Sequence, residues 1–249
     1  MNTELDVSEI FSNYAFEGYV KVGSLIPKFI QEQTDEIADL VKKAVAGKDS
    51  RILDCACGTG VLLHQLALDD KINAELYGWD ISQGMIKVAK ETTHPSIKYS
   101  VRNAEQPETN MSFDVVVCKN ALYYMEPERA FYSFSQLIAP EGHLIFTSLN
   151  RNADNIKLKL RLMRIGIYDS SVRPFFDALL GKIPLSDAIG SLRMAKANIQ
   201  YQKLARATAN QAIPLPRLHE LLSANSFEVS EVREDHYVGT QYLIDAVKL

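Results

Sequence analysis

Short apolar runs alternate with helix-period segments through the first 150 residues, and no other feature limits the fold of this chain so strongly. The runs fall at 51–55, 75–79, 97–101, 113–118 and 143–149. Between them, 61–68, 83–91 and 127–138 repeat apolar residues at spacings of three and four. Strand, helix and strand in repetition predict a parallel sheet covered by helices on both faces. FDVVVC at 113–118 has no polar alternation inside it and reads as a central strand buried on both sides. After a predicted helix at 214–224, the runs at 227–232 and 242–248 are joined by 235–240. That connection is too short to recross the sheet, so the two are expected to be antiparallel. The expected fold class is α/β, a doubly wound seven-stranded sheet with its last strand antiparallel.

Residues 151–211 interrupt the alternation. IKLKLRL alternates as a strand would, yet Ile156, Leu160, Met163 and Ile167 recur at helical spacing, and its Leu, Lys and Arg are good helix formers. With further helical patterns at 174–180 and 185–208, the segment reads as an inserted helical lid over the sheet's working edge. Residues 1–45 read as a helical N-terminal arm, with Ile30, Ile37, Leu40, Val41 and Val45 available to pack. The expected organisation is thus an arm at 1–45, a core at 46–150, a lid and substrate region at 151–211, and the last part of the core sheet at 212–249.

A length of 249 residues fits one large domain, or one carrying an insertion. At 47% hydrophobic and 23% charged residues, a disordered or collagen-like chain is excluded. No run reaches the roughly 18 apolar residues of a membrane span, and MNTELDVSEI is acidic where a signal peptide is basic and then apolar. A cytoplasmic protein is expected. Cys55, Cys57 and Cys118 are too few for a disulfide framework and lack the second ligand pair of a structural zinc site, so no metal is expected. A net charge of −4 gives no reason to expect nucleic acid or an anionic membrane as partner. The charge is uneven: 151–211 holds 11 Lys and Arg against 4 Asp.

The sharpest local signal is RILDCACGTGVLLHQLA, a strand ending at Asp54, a turn through Gly58 and Gly60, then a helix. Glycines there allow a tight turn and close approach of a ligand, with helix-start amides pointing outward. A dinucleotide turn would place a small residue at position 63, but Leu63 stands there, and no Lys-Ser/Thr pair follows to make a phosphate loop. The second strand ends at Asp80, whose carboxylate can accept both hydroxyl protons of a ribose. Ile81 can wall a purine. Ligands of open α/β sheets bind outside the carboxyl ends of the strands, which makes Asp54, Asp80, Asn103 and Asn120 neighbours.

The set LDCACGTG, GWDIS-x-GMI, RNAEQPE, FDVVVCKNALYYM and PEGHLIF, in this order and spacing, resembles the class I S-adenosylmethionine-dependent methyltransferases, especially their small-molecule branch. The resemblance covers residues 50–150 strongly and the last 35 weakly. It implies a Rossmann-like sheet and S-adenosyl-L-methionine as cofactor. It also implies that Asp54, Ala56, Gly58 and Gly60 surround the methionine part, that Asp80 holds the ribose, and that Ile81 and Met85 line the adenine. Asn103 and Ala104 would meet the exocyclic amine, and Asn120 would face the amino-acid moiety through its backbone or side chain. Phe11, Tyr14 and Tyr19 resemble the aromatic N-terminal pattern of the branch, which puts Tyr14 at the cofactor. Ala56 replaces the family's first turn glycine, and Asn103 replaces its usual Asp. Relatives that methylate adenine or amide nitrogen carry two prolines after the Asn or Asp at the fourth strand; here Ala121 and Leu122 follow Asn120.

On the acceptor side, Tyr123 and Tyr124 follow the fourth strand as substrate candidates or as core residues of the next helix. Arg161, Arg164, Arg173 and Arg193 could pair with an anionic acceptor, with Arg173 as the expected substrate contact, or could line a solvated face. If a base is needed, Tyr124 and His236 are the candidates. Of the five histidines, His236 is expected at the crevice side, in the turn after a parallel strand; His143 precedes its strand at the opposite edge, and His64 and His219 lie on helices. The expected function is direct methyl transfer to a small molecule, with a homodimer left open. Aminocarboxypropyl transfer or cyclisation from the same cofactor, or cofactor binding without catalysis, use the same motifs.

Overall fold

The computed structural model describes residues 28–107, 109–150, 180–181, 212–236 and 241–249, with side chains from residue 31 onward. Its elements are α1 (Lys28–Val45), β1 (Ser50–Cys55), α2 (Val61–Ala67), β2 (Ala74–Asp80), α3 (Gln83–Thr92), β3 (Lys98–Val101), β4 (Phe113–Cys118), α4 (Pro127–Leu137), β5 (Ile138–Leu149), α5 (Leu215–Ala224), β6 (Phe227–Arg233) and β7 (Gln241–Lys248). A 3-10 turn, Leu122–Tyr124, follows β4. Apart from residues 180–181, the expected lid at 151–211 lies outside the described residues, as do Tyr14 and Arg173.

The seven strands form one sheet in the order β3-β2-β1-β4-β5-β7-β6. β1 through β5 pair in parallel, while β7 runs antiparallel to both of its neighbours, β5 and β6. This is the α/β, doubly wound arrangement with one antiparallel strand. The strand order reverses between β1 and β4, where connections leave to opposite sides and open a crevice above the strand tips.

Alternation along the central strands separates two cores. Ile52, Val115, Val117, Ile145 and Leu243 face α1, α2 and α3, packing with Ile37, Val41, Leu62, Leu66, Ile86 and Ala89. On the other side Leu53, Cys55, Val116, Cys118, Leu144 and Phe146 meet α4 and α5 through Phe131, Phe134, Leu218 and Leu222. Phe131 stacks edge-on against Phe134 and Phe146 at 6.0 and 5.4 Å, all three fully buried. Burial of each such ring contributes about 1.5–3 kcal/mol. The second half of α1 is therefore part of the core, and a boundary at residue 45 divides the sequence without dividing the packing.

Local chemistry sets the helix starts. The Ser82 hydroxyl caps α3 by accepting from the Met85 N–H at 3.1 Å, and Pro127 opens α4 where no N–H is required. The principal departure is β5, which begins at Ile138 and not at 143, so His143 lies within the strand. Pro140-Glu141-Gly142 has the composition of a turn, but the sheet absorbs it as a register shift opposite Phe113 and Val115, with Glu141 at φ 61°. Lys248 steadies the shift by donating to the carbonyls of Ser135 and Ile138 at 2.5 and 2.8 Å, where α4 ends. His143 still pairs with Val115 near the start of β4, far from the crevice, and its Nδ1 contacts Asp245 at 2.9 Å.

Candidate active site

The turn from Cys55 to Gly60 carries three left-handed residues, Ala56 (φ 59°), Gly58 (φ 55°) and Gly60 (φ 76°). Such a conformation costs a non-glycine residue about 1–2 kcal/mol, so Ala56 is held by its surroundings. The amides of the turn are largely spent inside the protein: Cys57 N–H donates to the Trp79 carbonyl at 2.9 Å, Gly58 N–H to Asp80 Oδ2 at 2.8 Å and Gly60 N–H to the Cys57 carbonyl at 3.0 Å. The two glycines differ in purpose. A Cβ on Gly58 would meet nothing within 4 Å, which leaves room for a ligand, whereas one on Gly60 would lie 2.0 Å from the Tyr99 hydroxyl. Gly60 thus makes space for the β3 side chain. Gly78 does the same on β2, where a Cβ would lie 2.5 Å from the Tyr99 ring and 2.9 Å from Leu63. The large residue at position 63 is accommodated by a glycine on the strand beneath it.

Asp80 ends β2 at 8% exposure. Its Oδ2 accepts from Gly58 and its Oδ1 from the Ser82 N–H at 2.8 Å. Each oxygen accepts one of these bonds and retains a second lone-pair direction. Burial pushes the carboxyl up from its ordinary value, and the two backbone bonds oppose that shift. Beside it Ile81 is 46% exposed, an apolar side chain open at the strand tip, while Met85 is buried on α3.

Asp54, at the tip of β1, is 1% exposed, and its Oδ1 has no hydrogen-bond partner among the described residues. Burial raises its pKa to about 7, against the pull of Lys119. Burial also pushes the Cys55, Cys57 and Cys118 thiols upward, so these are unreactive packing groups.

Asn120 follows β4 in the left-handed region, φ 56°. Its N–H donates to Thr147 Oγ1 at 2.8 Å, its Nδ2 to Gln33 Oε1 at 3.3 Å, and its Oδ1 accepts from Gln241 Nε2 at 2.9 Å. Gln33 Nε2 closes the ring by donating to Gln241 Oε1 at 3.3 Å. With its N–H and Oδ1 engaged, Asn120 keeps its carbonyl and the second hydrogen of Nδ2 for a ligand. Asn103 Oδ1 accepts from the Glu105 N–H at 2.9 Å, and the buried Ala104 carbonyl accepts from the Ser133 hydroxyl, which fixes the β3 tip against α4.

Tyr123 and Tyr124 occupy the 3-10 turn after β4, with ring centroids 4.4 Å apart. His236 lies beyond β6, at the carboxyl-end edge of the sheet but on its outermost strand. It is 1% exposed, with Nδ1 2.6 Å from Glu36 Oε2 and with Nε2 unpartnered among the described residues. The residues Gln33, Thr34, Tyr99, Lys119, Thr147 and Gln241 also build the site. Lys119 was readable in the sequence as a charge continuing the Val115, Val117 row, whereas the others are brought in by tertiary packing.

Residues 46–173, just over half of the 249, match the family described as Methyltransferase domain. The chain belongs to the class I methyltransferases. The methyltransferase is 29% identical over 156 residues to a ubiquinone biosynthesis O-methyltransferase of Photobacterium profundum, covering 55% of this chain and 64% of that one. It is 32% identical over 117 residues to a protein of the same name from Coxiella burnetii, covering 45% and 49%. The chain thus spans between about half and two thirds of these relatives. Among solved structures, a magnesium protoporphyrin IX methyltransferase from Synechocystis with bound S-adenosylmethionine superposes over 100% of both chains, with a TM-score of 0.60 and 15% identity. An N-methyltransferase from Bradyrhizobium japonicum with bound S-adenosylhomocysteine covers 97% of each chain, TM-score 0.58 and 14% identity. At these identities the two structures speak for the fold of the methyltransferase. The described residues fit an adenosyl amino acid: space at Gly58, spare lone pairs on Asp80, and an unpaired buried oxygen on Asp54.

Proposed function

We propose that this chain transfers the methyl group of S-adenosylmethionine to an oxygen nucleophile on a small molecule. The reading is carried by Asp80, a buried carboxylate that locks the Gly58 turn and still has both oxygens available to a ribose diol. The names of the O-methyltransferase relatives support an oxygen acceptor. When bound, the cofactor supplies an already electrophilic methyl group on a sulfonium. The protein's tasks are then binding, in-line orientation and exclusion of water. Asp80 would hold the sugar, Ile81 and Met85 the purine with Asn103 and Ala104 at its edge, and Gly58 would let the tail lie against backbone. Gly60 supports that turn from behind.

A hydroxyl acceptor needs a base. In His236, the Glu36 contact favours the proton on Nδ1, which leaves Nε2 to accept one; Tyr124 is the other candidate. Tyr14 from the arm and Tyr123, Tyr124 and Arg173 on the acceptor side complete the assignment, with Arg173 suited to an acceptor carrying a carboxylate or phosphate, and with 1–45 and 151–211 as its cover. The three buried free thiols agree with a reducing, cytoplasmic setting, and a homodimer is compatible with the assignment.

Purified protein incubated with methyl-labelled S-adenosylmethionine and a metabolite extract is expected to yield a labelled small molecule together with S-adenosylhomocysteine. Methylthioadenosine as the nucleoside product, or cofactor binding without turnover, would reject methyl transfer. The sugar assignment has its own readout: adenosine is expected to bind about tenfold more tightly than 2′,3′-dideoxyadenosine by calorimetry, the worth of roughly one charge-assisted hydrogen bond. Equal affinities would remove Asp80 from the ribose.

A further inference from the structure

Asp54 and Lys119 project from one side of the sheet. Pairing sets Asp54 against Val117, and side chains alternate, so Lys119 continues the row of Val115 and Val117 while Asp54 continues that of Ile52. This is the side covered by α1, and the half-buried Lys119 donates from Nζ to Thr34 Oγ1 on that helix at 3.2 Å. The two charges attract each other, yet among the described residues no ion pair joins them, and Asp54 Oδ1 is left without a hydrogen bond. Burial pushes the Lys119 ammonium below its ordinary pKa, with Asp54 opposing.

A buried carboxylate oxygen lacking a partner beside an ammonium aimed elsewhere is a cost the bare protein does not recover. An α-amino acid presents the two complementary groups on one carbon. We propose that Lys119 binds the carboxylate of the cofactor's amino-acid tail, so that Asp54 and Lys119, on neighbouring strand tips, grip the tail at both of its charges. This assignment rests on the adenosyl-cofactor reading above and adds Lys119 to it. Thr34 holds the ammonium at the site while the ligand is absent, and α1 thereby becomes part of the cofactor pocket.

The test uses calorimetric binding of three ligands to the full chain: S-adenosylhomocysteine, its decarboxylated analogue, which keeps the ammonium, and methylthioadenosine, which has neither charge. Wild-type protein is expected to prefer S-adenosylhomocysteine over the decarboxylated analogue by about 10- to 100-fold, as one charge-assisted contact provides. Lys119→Met is expected to abolish that preference while methylthioadenosine affinity stays within about threefold, and Lys119→Arg to retain most of it. A Lys119→Met protein that weakens all three ligands alike, or that keeps the wild-type preference, overturns the proposal. Should Lys119→Met fail to fold, the wild-type preference and its retention in Lys119→Arg decide, and a wild-type ratio near one rejects the assignment. Failure of wild-type protein to bind any of the three would instead reject the adenosyl-cofactor reading itself.

Discussion

Gly60→Ala is expected to lose about 2–5 kcal/mol of unfolding free energy, whereas Gly58→Ala, two residues away in the same turn, loses about 1–2 kcal/mol. Both positions are left-handed, at φ 76° and 55°, so both substitutions pay for an unfavourable backbone. Only at Gly60 does the methyl group also meet an obstacle. It would sit 2.0 Å from the Tyr99 hydroxyl, 2.8 Å from Cζ and 3.2 Å from the Thr93 methyl. Tyr99 cannot swing aside cheaply, being 8% exposed, with its hydroxyl accepting from Thr93 Oγ1 at 3.0 Å. Urea denaturation of both variants, with Tyr99→Phe placed in the Gly60→Ala background, checks the account. The double variant recovers part of the loss because the nearest atom is gone. A Gly58→Ala variant less stable than Gly60→Ala contradicts it.

Asp54→Asn is expected to make the ligand-free protein more stable above pH 7 and weaker in cofactor binding at the same time. The Asp54 pKa is about 7 in the folded protein against an ordinary 3.8. A carboxyl raised on folding stabilises the native state most below the lower value, and that contribution is lost as pH rises from about 4 through about 7. The full swing is on the order of 4 kcal/mol. Asparagine does not ionise, so the difference in stability between variant and wild type should grow in the variant's favour across this window. The unpartnered amide offsets part of the gain, by about 1–3 kcal/mol. Unfolding measured from pH 4 to 8 on both proteins isolates the group, including its attraction to Lys119 and repulsion from Asp80. Parallel curves would show that folding leaves the Asp54 carboxyl at its ordinary pKa. Added S-adenosylhomocysteine should narrow the difference above pH 7 by stabilising the wild type more.

Much of this was legible in the sequence where the signal is local. The runs at 51–55, 75–79 and 113–118 became β1, β2 and β4 within a residue at each end, because buried strands announce themselves by composition. The rule that ligands bind outside the carboxyl ends of the strands makes Asp54, Asp80, Asn103 and Asn120 neighbours, and the order β3-β2-β1-β4 sets the strands that precede them side by side. The start of β5 was not legible, since Pro140-Glu141-Gly142 carries turn chemistry and only the pairing with Phe113 makes it strand. Nor was the purpose of Gly60, which depends on a tyrosine from β3. The hydrogen bonds that Asn120 makes to Gln33 and Gln241, 87 and 121 residues away in sequence, were not legible either. Glu36 likewise reaches His236 across 200 residues.

The place of β7 has a consequence for the order in which the molecule can assemble. It lies between β5 and β6, and Gln241 at its start helps to position Asn120 on β4. A ribosome releases this strand after every other element described here, so the nascent chain has to leave a slot beside β5 vacant during synthesis. The crevice above the strand tips acquires its final shape only when that slot is filled.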